Sequence, residues 1–454
     1  MGLYTLDYLS ILITCGWLFV FTLLAVRSIR WGLYLLAAML PLYLIRFDIA
    51  GVPTTALELS ILILFFLWLI KENRWRRIHI GRTDTHGVEN LIPRHYRLPL
   101  TLLFLSALIG AFASQNTLSA FGILKAYFIE PGMVLLIATY ELTEHKHIRL
   151  LIYALGIPTI LIGATALYQY VTGFGIPNPM WANAATRRAT SLFGYPNAGS
   201  LFVAPIIALY IGYMSAKRTV QEYIYPVVVV SAGLTMILTA KTMGALVGLG
   251  AAVWCAGVYS KKSRLPVLLC TVLLAAGIFF MTPIPQRTVQ LFNRISSNHL
   301  NLSSSSFEIR VNQWRETTNL LFDHPLVGAG LAGYQQALVP YHRYSFLEIY
   351  LYPHNIFLNV WVELGLLGII AFVLLFWRIK STVYDALKAG YRTPEGSALT
   401  YGLFLAWITL FVHGLVDVPY FKNDLSVEFM LLVALTMFLD RTVSHLNRKE
   451  LLRT

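Results

Sequence analysis

Residues 352–377 read YPHNIFLNVWVELGLLGIIAFVLLFW. From Ile356 onward the run is apolar and long enough to cross a bilayer, since a helical span needs about 20 residues. Before it lies 282–351, the longest stretch of mixed polar character in the chain. Tyr352-Pro353-His354-Asn355 is therefore the border between a polar segment and a membrane helix. Histidine is the side chain whose charge ordinarily changes near neutral pH. Here it stands where water meets lipid, beside a segment rich in arginine, a position suited to chemistry on a lipid-borne substrate.

The rest of the chain agrees with a membrane setting. Apolar residues make up 57% of the 454 residues and charged ones 13%, against about 25% charged in soluble domains. Apolar runs predict helices near 5–26, 31–46, 55–70, 98–114, 118–140, 149–172, 198–215, 223–240, 242–259, 265–282, 354–377, 397–415 and 427–440. The expected fold is an all-α polytopic membrane protein of twelve to thirteen transmembrane helices, forming one membrane domain over 1–454. Pro41, Pro131, Pro158 and Pro205 fall within runs, which membrane helices tolerate when neighbours satisfy the freed backbone. The first run lacks a basic flank and a small-residue cleavage site, so it is read as a retained helix. Cys15, Cys255 and Cys270 all sit in apolar runs, which indicates neither a disulfide framework nor a thiolate metal site.

Orientation follows from Lys and Arg, which cytoplasmic loops hold in excess. Taking every second connection as cytoplasmic, from Arg27 to Arg30 onward, places 24 of the 35 basic residues on that side. This reading makes 71–97 a cytoplasmic loop and 441–454 a cytoplasmic tail. It makes 173–197 an extracytoplasmic loop and 283–352 a large extracytoplasmic loop. The formal charge of +13 then reflects topology and anionic lipid rather than nucleic acid. His79, His86 and His95 match no standard metal-ligand spacing.

The informative cations are those on the side where few belong. Arg187 and Arg188 precede SLFGYPNAGS, where Asn197 or Ser200 could open a helix N-terminus to an anion. Lys241 stands at a tight hairpin between two spans. Arg287, Arg294, Arg310, Arg315 and Arg343 lie in the large loop. There, SSSSFEIRVNQWRETTNLLFDHP reads as an amphipathic helix, with capping-box spacing from Ser305 to Glu308 and Pro325 at its end. Phe307, Val311, Trp314, Thr318 and Leu321 form its apolar stripe, and Arg310 lies at the edge, at the depth of lipid phosphates. Equally, Arg310 could simply snorkel to headgroups. Gly328 and Gly330 let the backbone approach a partner closely, or form a plain turn.

Charges inside spans are costly and face the bundle interior by default. They are Glu58, Lys125, Glu130 and Glu363. Lys125 and Glu130 are five apart, a poor spacing for a pair. Glu363 sits about 13 Å past His354 along the helix and is read as structural. His413 and Asp417 have i, i+4 spacing and could pair, in a packing or capping role.

An outward site with arginines, a lysine and one histidine suits a lipid carrying a pyrophosphate. Cations would bind the diphosphate and stabilise it as a leaving group, and histidine could accept the proton of an acceptor hydroxyl. No Asp-X-Asp for a divalent ion occurs in the sequence, and no cofactor is expected. HNIFLNVWVELGLLGII resembles the His-Asn, Glu-X-Gly-X-X-Gly signature of the O-antigen ligase and O-antigen polymerase superfamily. RATSLFGYPNAGS, TAKTMGALVGL and IRVNQWRETTNLLFDHPLVGAGLAGYQ resemble its other blocks in the same order, so the likeness spans Arg188 to Val373.

The resemblance implies a GT-C-like enzyme. It would perform a metal-independent, inverting transfer of a glycan from undecaprenyl pyrophosphate to an acceptor outside the bacterial inner membrane. The acceptor would be lipid A core, another repeat unit or a protein. His354 would be the base; Arg188, Arg310 and Lys241 would contact pyrophosphate; and Asn355, Asn197, Trp314, Glu363, Gly328 and Gly330 would support them. Lys241 departs from the family's Ser-Arg-Gly, keeping charge but losing bidentate geometry. The first 140 residues match no motif of the family. A transporter of lipid-linked glycans is the alternative from another class, although no inverted repeat is visible; a structural scaffold would leave the outward cations without a use.

Overall fold

The computed structural model describes residues 8–49, 52–71, 91–215, 219–260, 306–390 and 393–451, with a few positions between 264 and 271. Outside it lie most of the expected span 265–282, residues 72–90 of the expected cytoplasmic loop with His79 and His86, and Arg287, Arg294 and Ser305. The described helices are α1 (Tyr8–Arg27), α2 (Ile29–Ala38), α3 (Ala56–Lys71), α4 (Arg94–Ala113), α5 (Thr117–Glu141), α6 (His145–Thr172), α7 (Pro179–Ala182) and α8 (Pro196–Tyr213). After them come α9 (Val220–Thr239), α10 (Met243–Tyr259), α11 (Ser306–Asp323), α12 (Tyr334–Leu338), α13 (Ile356–Ala389), α14 (Pro394–Gly414) and α15 (Asn423–Leu451).

Among the described residues, 7 helices are long and apolar enough to cross a membrane: α4, α5, α6, α8, α9, α13 and α14. The chain is an all-α polytopic membrane protein. Two runs in the first third of the chain depart from the expected uniform helix. The run expected over 31–46 ends at Ala38, because Pro41 cannot donate to a continuing helix. It passes into a 3-10 turn over Leu40–Leu44 and then a two-stranded hairpin, Arg46–Ile49 paired antiparallel with Val52–Thr55. The second run, α5, carries a wider π-turn at Lys125–Ile129 just before Pro131.

Side-chain bonds sort the connections into two ends. At one, Lys71 Nζ donates to the Val26 and Arg27 carbonyls, Arg30 pairs with Glu141 at 3.2 Å, and His95 pairs with Asp440 at 3.2 Å. At the other, Lys422 stacks on the Tyr43 and Phe193 rings, at 4.9 and 4.0 Å from their centroids. Three connections meet there: those before the hairpin, before α8 and before α15.

α13 is broken within its first three turns. Gly365 has φ 70 and ψ −169, which no helix accommodates. The break frees backbone groups at membrane depth, where each unsatisfied group is costly. The segment after α11 repairs it: Leu366 N donates to Leu326 O at 2.9 Å and Ala329 N to Val362 O at 2.7 Å. Trp361 Nε1 donates to Pro325 O at 2.7 Å, and Ala332 N donates to the Glu363 carboxylate at 2.8 Å. Gly328 and Gly330 have φ 67 and 74, and a β-carbon on either would collide with backbone of α13 or α4. Their close approach is thus to the scaffold, and Glu363 serves the same join.

This seam predicts unequal costs for two glycine substitutions. Gly365→Ala forces a β-carbon into the Leu326 carbonyl at positive φ, and should destabilise by about 1–3 kcal/mol or more. Gly132→Ala meets nothing within 4 Å and should not. Thermal melts of the purified protein in detergent should show a lowered midpoint for the first only.

Candidate active site

Asn355 begins α13. Its side-chain oxygen accepts from Phe357 N at 3.0 Å and Leu358 N at 3.1 Å, satisfying amides that a helix start leaves open. Its amide nitrogen donates to Leu415 O at 2.9 Å, tying the start of α13 to the end of α14. His354, just ahead of this cap, is left-handed at φ 49, a conformation that costs a non-glycine residue free energy and is kept when surroundings enforce it. They do: Gln313 Nε2 donates to Tyr352 O at 3.1 Å and Trp314 Nε1 to Pro353 O at 2.8 Å. The Tyr352 and Tyr350 rings flank the imidazole edge-on, at 4.9 and 5.3 Å.

The turn aims His354 Nδ1 at Asp417 Oδ1, 3.2 Å away. Asp417 is buried and forms the hub of the site. Val418 N donates to Oδ1 at 3.0 Å, Arg310 Nη2 lies 3.5 Å from Oδ2, and Asn197 Nδ2 donates to Oδ2 at 3.2 Å. Asn197 Oδ1 in turn accepts from Arg188 Nη2 at 3.1 Å, and Arg188 Nε donates to Ala240 O at 2.8 Å. Thr242 and Ser200 extend the network, the Ser200 hydroxyl donating to Thr242 Oγ1 at 2.9 Å. Side chains from three separate segments, those of Asn197, Arg310 and His354, meet on one carboxylate.

The electrostatics of this hub favour an added anion. Burial pushes the Asp417 carboxyl up, but the bond from His354 and the charge of Arg310 hold it down to about 2. An ionised carboxylate cannot donate, so Nδ1 carries the proton in the neutral ring and Nε2 keeps its lone pair. Arg188 is lowered by burial and by the like charge of Arg310. Two guanidiniums, which stay protonated in proteins, face a single negative charge.

Of the expected site residues, the structure brings together His354, Asn355, Arg188, Arg310, Asn197 and Trp314. It does not bring in Lys241. That residue is exposed and left-handed at φ 53, and its amine has no bonding partner among the described residues. The hairpin contributes a backbone carbonyl, that of Ala240, instead. Glu363, Gly328 and Gly330 lie in the seam with α13, away from the hub. The possible His413–Asp417 pair is replaced: His413 is buried against Gly244, and Asp417 turns to His354. The i, i+4 spacing had singled out Asp417 but suggested the wrong imidazole. Lys125 pairs with Glu58 at 2.8 Å, a contact between distant spans that spacing cannot reveal.

α11 packs against the rest of the protein mainly through its polar face. Glu308, Asn312, Gln313, Glu316, Thr317, Leu320 and Leu321 are its buried positions, whereas Phe307 is exposed. The polar face turns inward because the irregular segment 334–353 needs partners. Thr317 Oγ1 bonds Tyr334 Oη at 2.8 Å, and Glu316 accepts from Arg343 N at 3.0 Å and meets His342 Nδ1 at 3.1 Å.

Residues 227–373 match the family model described as O-antigen ligase. This match bears out the resemblance to the O-antigen ligase superfamily. The matched window of the O-antigen ligase family includes Arg310, His354 and Asn355, while Arg188, Asn197 and Asp417 lie outside it. No curated protein matches the chain. The apolar helices make the chain a multi-pass membrane protein, and the match supports a function of the O-antigen ligase or polymerase type in general, which implies a lipid-linked glycan and an acceptor as partners.

The clamp under the site has a predictable pH response. Burial lowers the His342 imidazole, but its bonds to Glu316 and to Leu347 O outweigh this and raise it above the ordinary value. A raised imidazole contributes stability that is fully present below about pH 6.5 and lost as pH rises through the folded value. Amide exchange in 334–350, corrected for intrinsic rate, should therefore accelerate between pH 6 and 9. His342→Gln should abolish that pH dependence.

Proposed function

We propose that this protein transfers a glycan from undecaprenyl pyrophosphate to an acceptor hydroxyl at the outer face of the bacterial inner membrane. It would serve synthesis of lipopolysaccharide or a related cell-envelope polysaccharide. The observation that carries the reading is the convergence of Arg310 and His354 on the buried Asp417, with Arg188 joined to it through Asn197. In this scheme 283–352 is the catalytic loop, 173–197 supplies Arg188, and both face the exterior with the tail 441–454 in the cytoplasm.

The excess positive charge of Arg188 and Arg310 holds the diphosphate. Asp417 fixes the imidazole so that the unprotonated Nε2 faces the acceptor. The acceptor oxygen attacks the anomeric carbon from the side opposite the phosphate, its proton passes to Nε2, and the bond from that carbon to the phosphate oxygen breaks. The configuration inverts. The bonding pair leaves with undecaprenyl pyrophosphate, whose new charge the arginines stabilise, the role a divalent ion plays in metal-dependent transferases. Asn197 spaces the two arginines, and Asn355 and Trp314 keep His354 in its turn. An apolar groove of about 590 Å³, with Phe357 and Phe411 near the site and Lys380 and Leu387 farther along α13, offers room for the polyprenyl chain.

Lipid A core, a second repeat unit and a protein hydroxyl all fit this chemistry as acceptors, and O-antigen ligation is the reading adopted. Purified enzyme with a lipid-linked donor and each acceptor separates them by product. His354→Ala should lower turnover by about 10²–10⁴-fold, the usual weight of a general base. Arg188→Lys and Arg310→Lys should also lose activity, because lysine lacks the two-pronged contact. Lys241→Ala should retain most of it, and a chelator should have no effect. Wild-type turnover in His354→Ala would overturn the scheme. Asp417→Asn should lower activity across the whole pH range, since that carboxylate is ionised down to about pH 2.

A further inference from the structure

The loop that delivers Arg188 also carries aromatic rings for which the transfer step has no use. Asn178 caps the single turn α7 by accepting from Met180 N at 2.9 Å, and the Thr186 hydroxyl donates to Met180 O at 2.6 Å. Arg188 N donates to Trp181 O at 3.0 Å. The backbone of Trp181 is thus bonded to the arginine that reaches the hub. The Trp181 ring meets that of Tyr195, with centroids 5.9 Å apart and planes inclined at 67°. Tyr195 is the N-cap residue of α8, two positions before Asn197, and its side chain is 66% exposed. Asn197 in turn bonds the Asp417 carboxylate that holds His354.

The two rings therefore stand beside Arg188 and the start of α8 that carries Asn197. Their anchors hold them there: Gln169 Oε1 accepts from Thr190 N and Ser191 N at 2.9 and 2.7 Å, securing the chain between Arg188 and Tyr195. An open ring held against a half-buried one marks a surface that something covers. Tyr and Trp give much contact area at little conformational cost. Membrane-interface aromatics share these residue types, but that role requires no backbone bond to a member of the charged hub.

We propose that Trp181 and Tyr195 form a stacking subsite for the sugar attached to the diphosphate, so that they select the glycan of the donor. This rests on the donor reading given above. One face of a pyranose ring presents C–H groups, which pack on the electron-rich face of an aromatic ring. The hydroxyls at its rim stay in water. The inclined pair makes a corner, one ring lying under the sugar and the other limiting its edge. With Arg188 bonded to one wall of that corner, the diphosphate and its first sugar would be gripped together.

The test measures binding to His354→Ala, which holds the donor without turning it over. Two probes are compared in detergent: undecaprenyl pyrophosphate bearing a short oligosaccharide, and undecaprenyl pyrophosphate alone. Trp181→Ala and Tyr195→Ala in that background should each weaken the glycan-bearing probe by about tenfold, the weight of one aromatic contact, and leave the bare lipid unchanged. Trp181→Phe and Tyr195→Phe should restore most of the loss, because the ring and not its polar tip is used. Equal weakening of both probes would overturn the subsite and make the pair structural. Unchanged binding of both probes would also overturn it while leaving the donor reading intact. Failure of the parent protein to bind either probe would remove the donor reading and this subsite with it.

Discussion

The site depends on one buried carboxylate. Asp417 lies in a short turn between two membrane helices, taken out of water, where an unpaired charge would be very costly. The chain meets that cost with donors from everywhere within reach: an imidazole, a guanidinium, an amide and its neighbour's backbone N–H. Because the four donors come from different parts of the sequence, satisfying Asp417 and assembling the site are the same event. Two arginines are thereby held near each other with one negative charge close by, and the proposed diphosphate would supply the rest. The same carboxylate sets which imidazole nitrogen is protonated, so charge balance and proton acceptance are linked through a single residue.

A second constraint, backbone satisfaction at membrane depth, shapes the frame around the hub. Gly365 breaks α13 just beyond the His354 turn, and residues 325–332 fill the resulting gap with main-chain bonds. α11 turns its polar face onto the irregular stretch that follows, where Glu316, Gln313 and Thr317 find partners. Both joins anchor the segment ending at His354. The strained left-handed turn there is held from two sides, by Trp314 and Gln313 before it and by the Asn355 cap after it. A site assembled this way should tolerate little change in its glycines.

Much of this was legible in the residues themselves. The hydrophobic runs gave the helices, since each run is a local property of some 20 residues. Cations on the sparsely charged side, together with His354 at a polar border, pointed to Arg188 and Arg310. Other features were not legible. The run around Pro41 looked like a span but yields a turn and hairpin, because total hydrophobicity does not register a missing backbone donor. The apolar stripe of α11 pointed to a membrane surface, but nothing in it showed that loop carbonyls and hydroxyls would claim the opposite, polar face. Lys241 carried the right charge in the right connection, yet its left-handed hairpin sends the carbonyl of Ala240, not the amine, toward Arg188.

By itself, then, the sequence determined that the chain crosses a membrane many times, where its polar segments begin and end, and which residue types could serve a diphosphate. Periodicity, charge placement and motif order are read over tens of residues and need no knowledge of contacts. Only the tertiary structure decided that Asp417 joins His354, Arg310 and Asn197, that Lys125 answers Glu58, and that Gly328 and Gly330 close a helix break. Each of these is a meeting of groups far apart in the chain, and which acid finds which base depends on how helices pack, a quantity that no local spacing encodes.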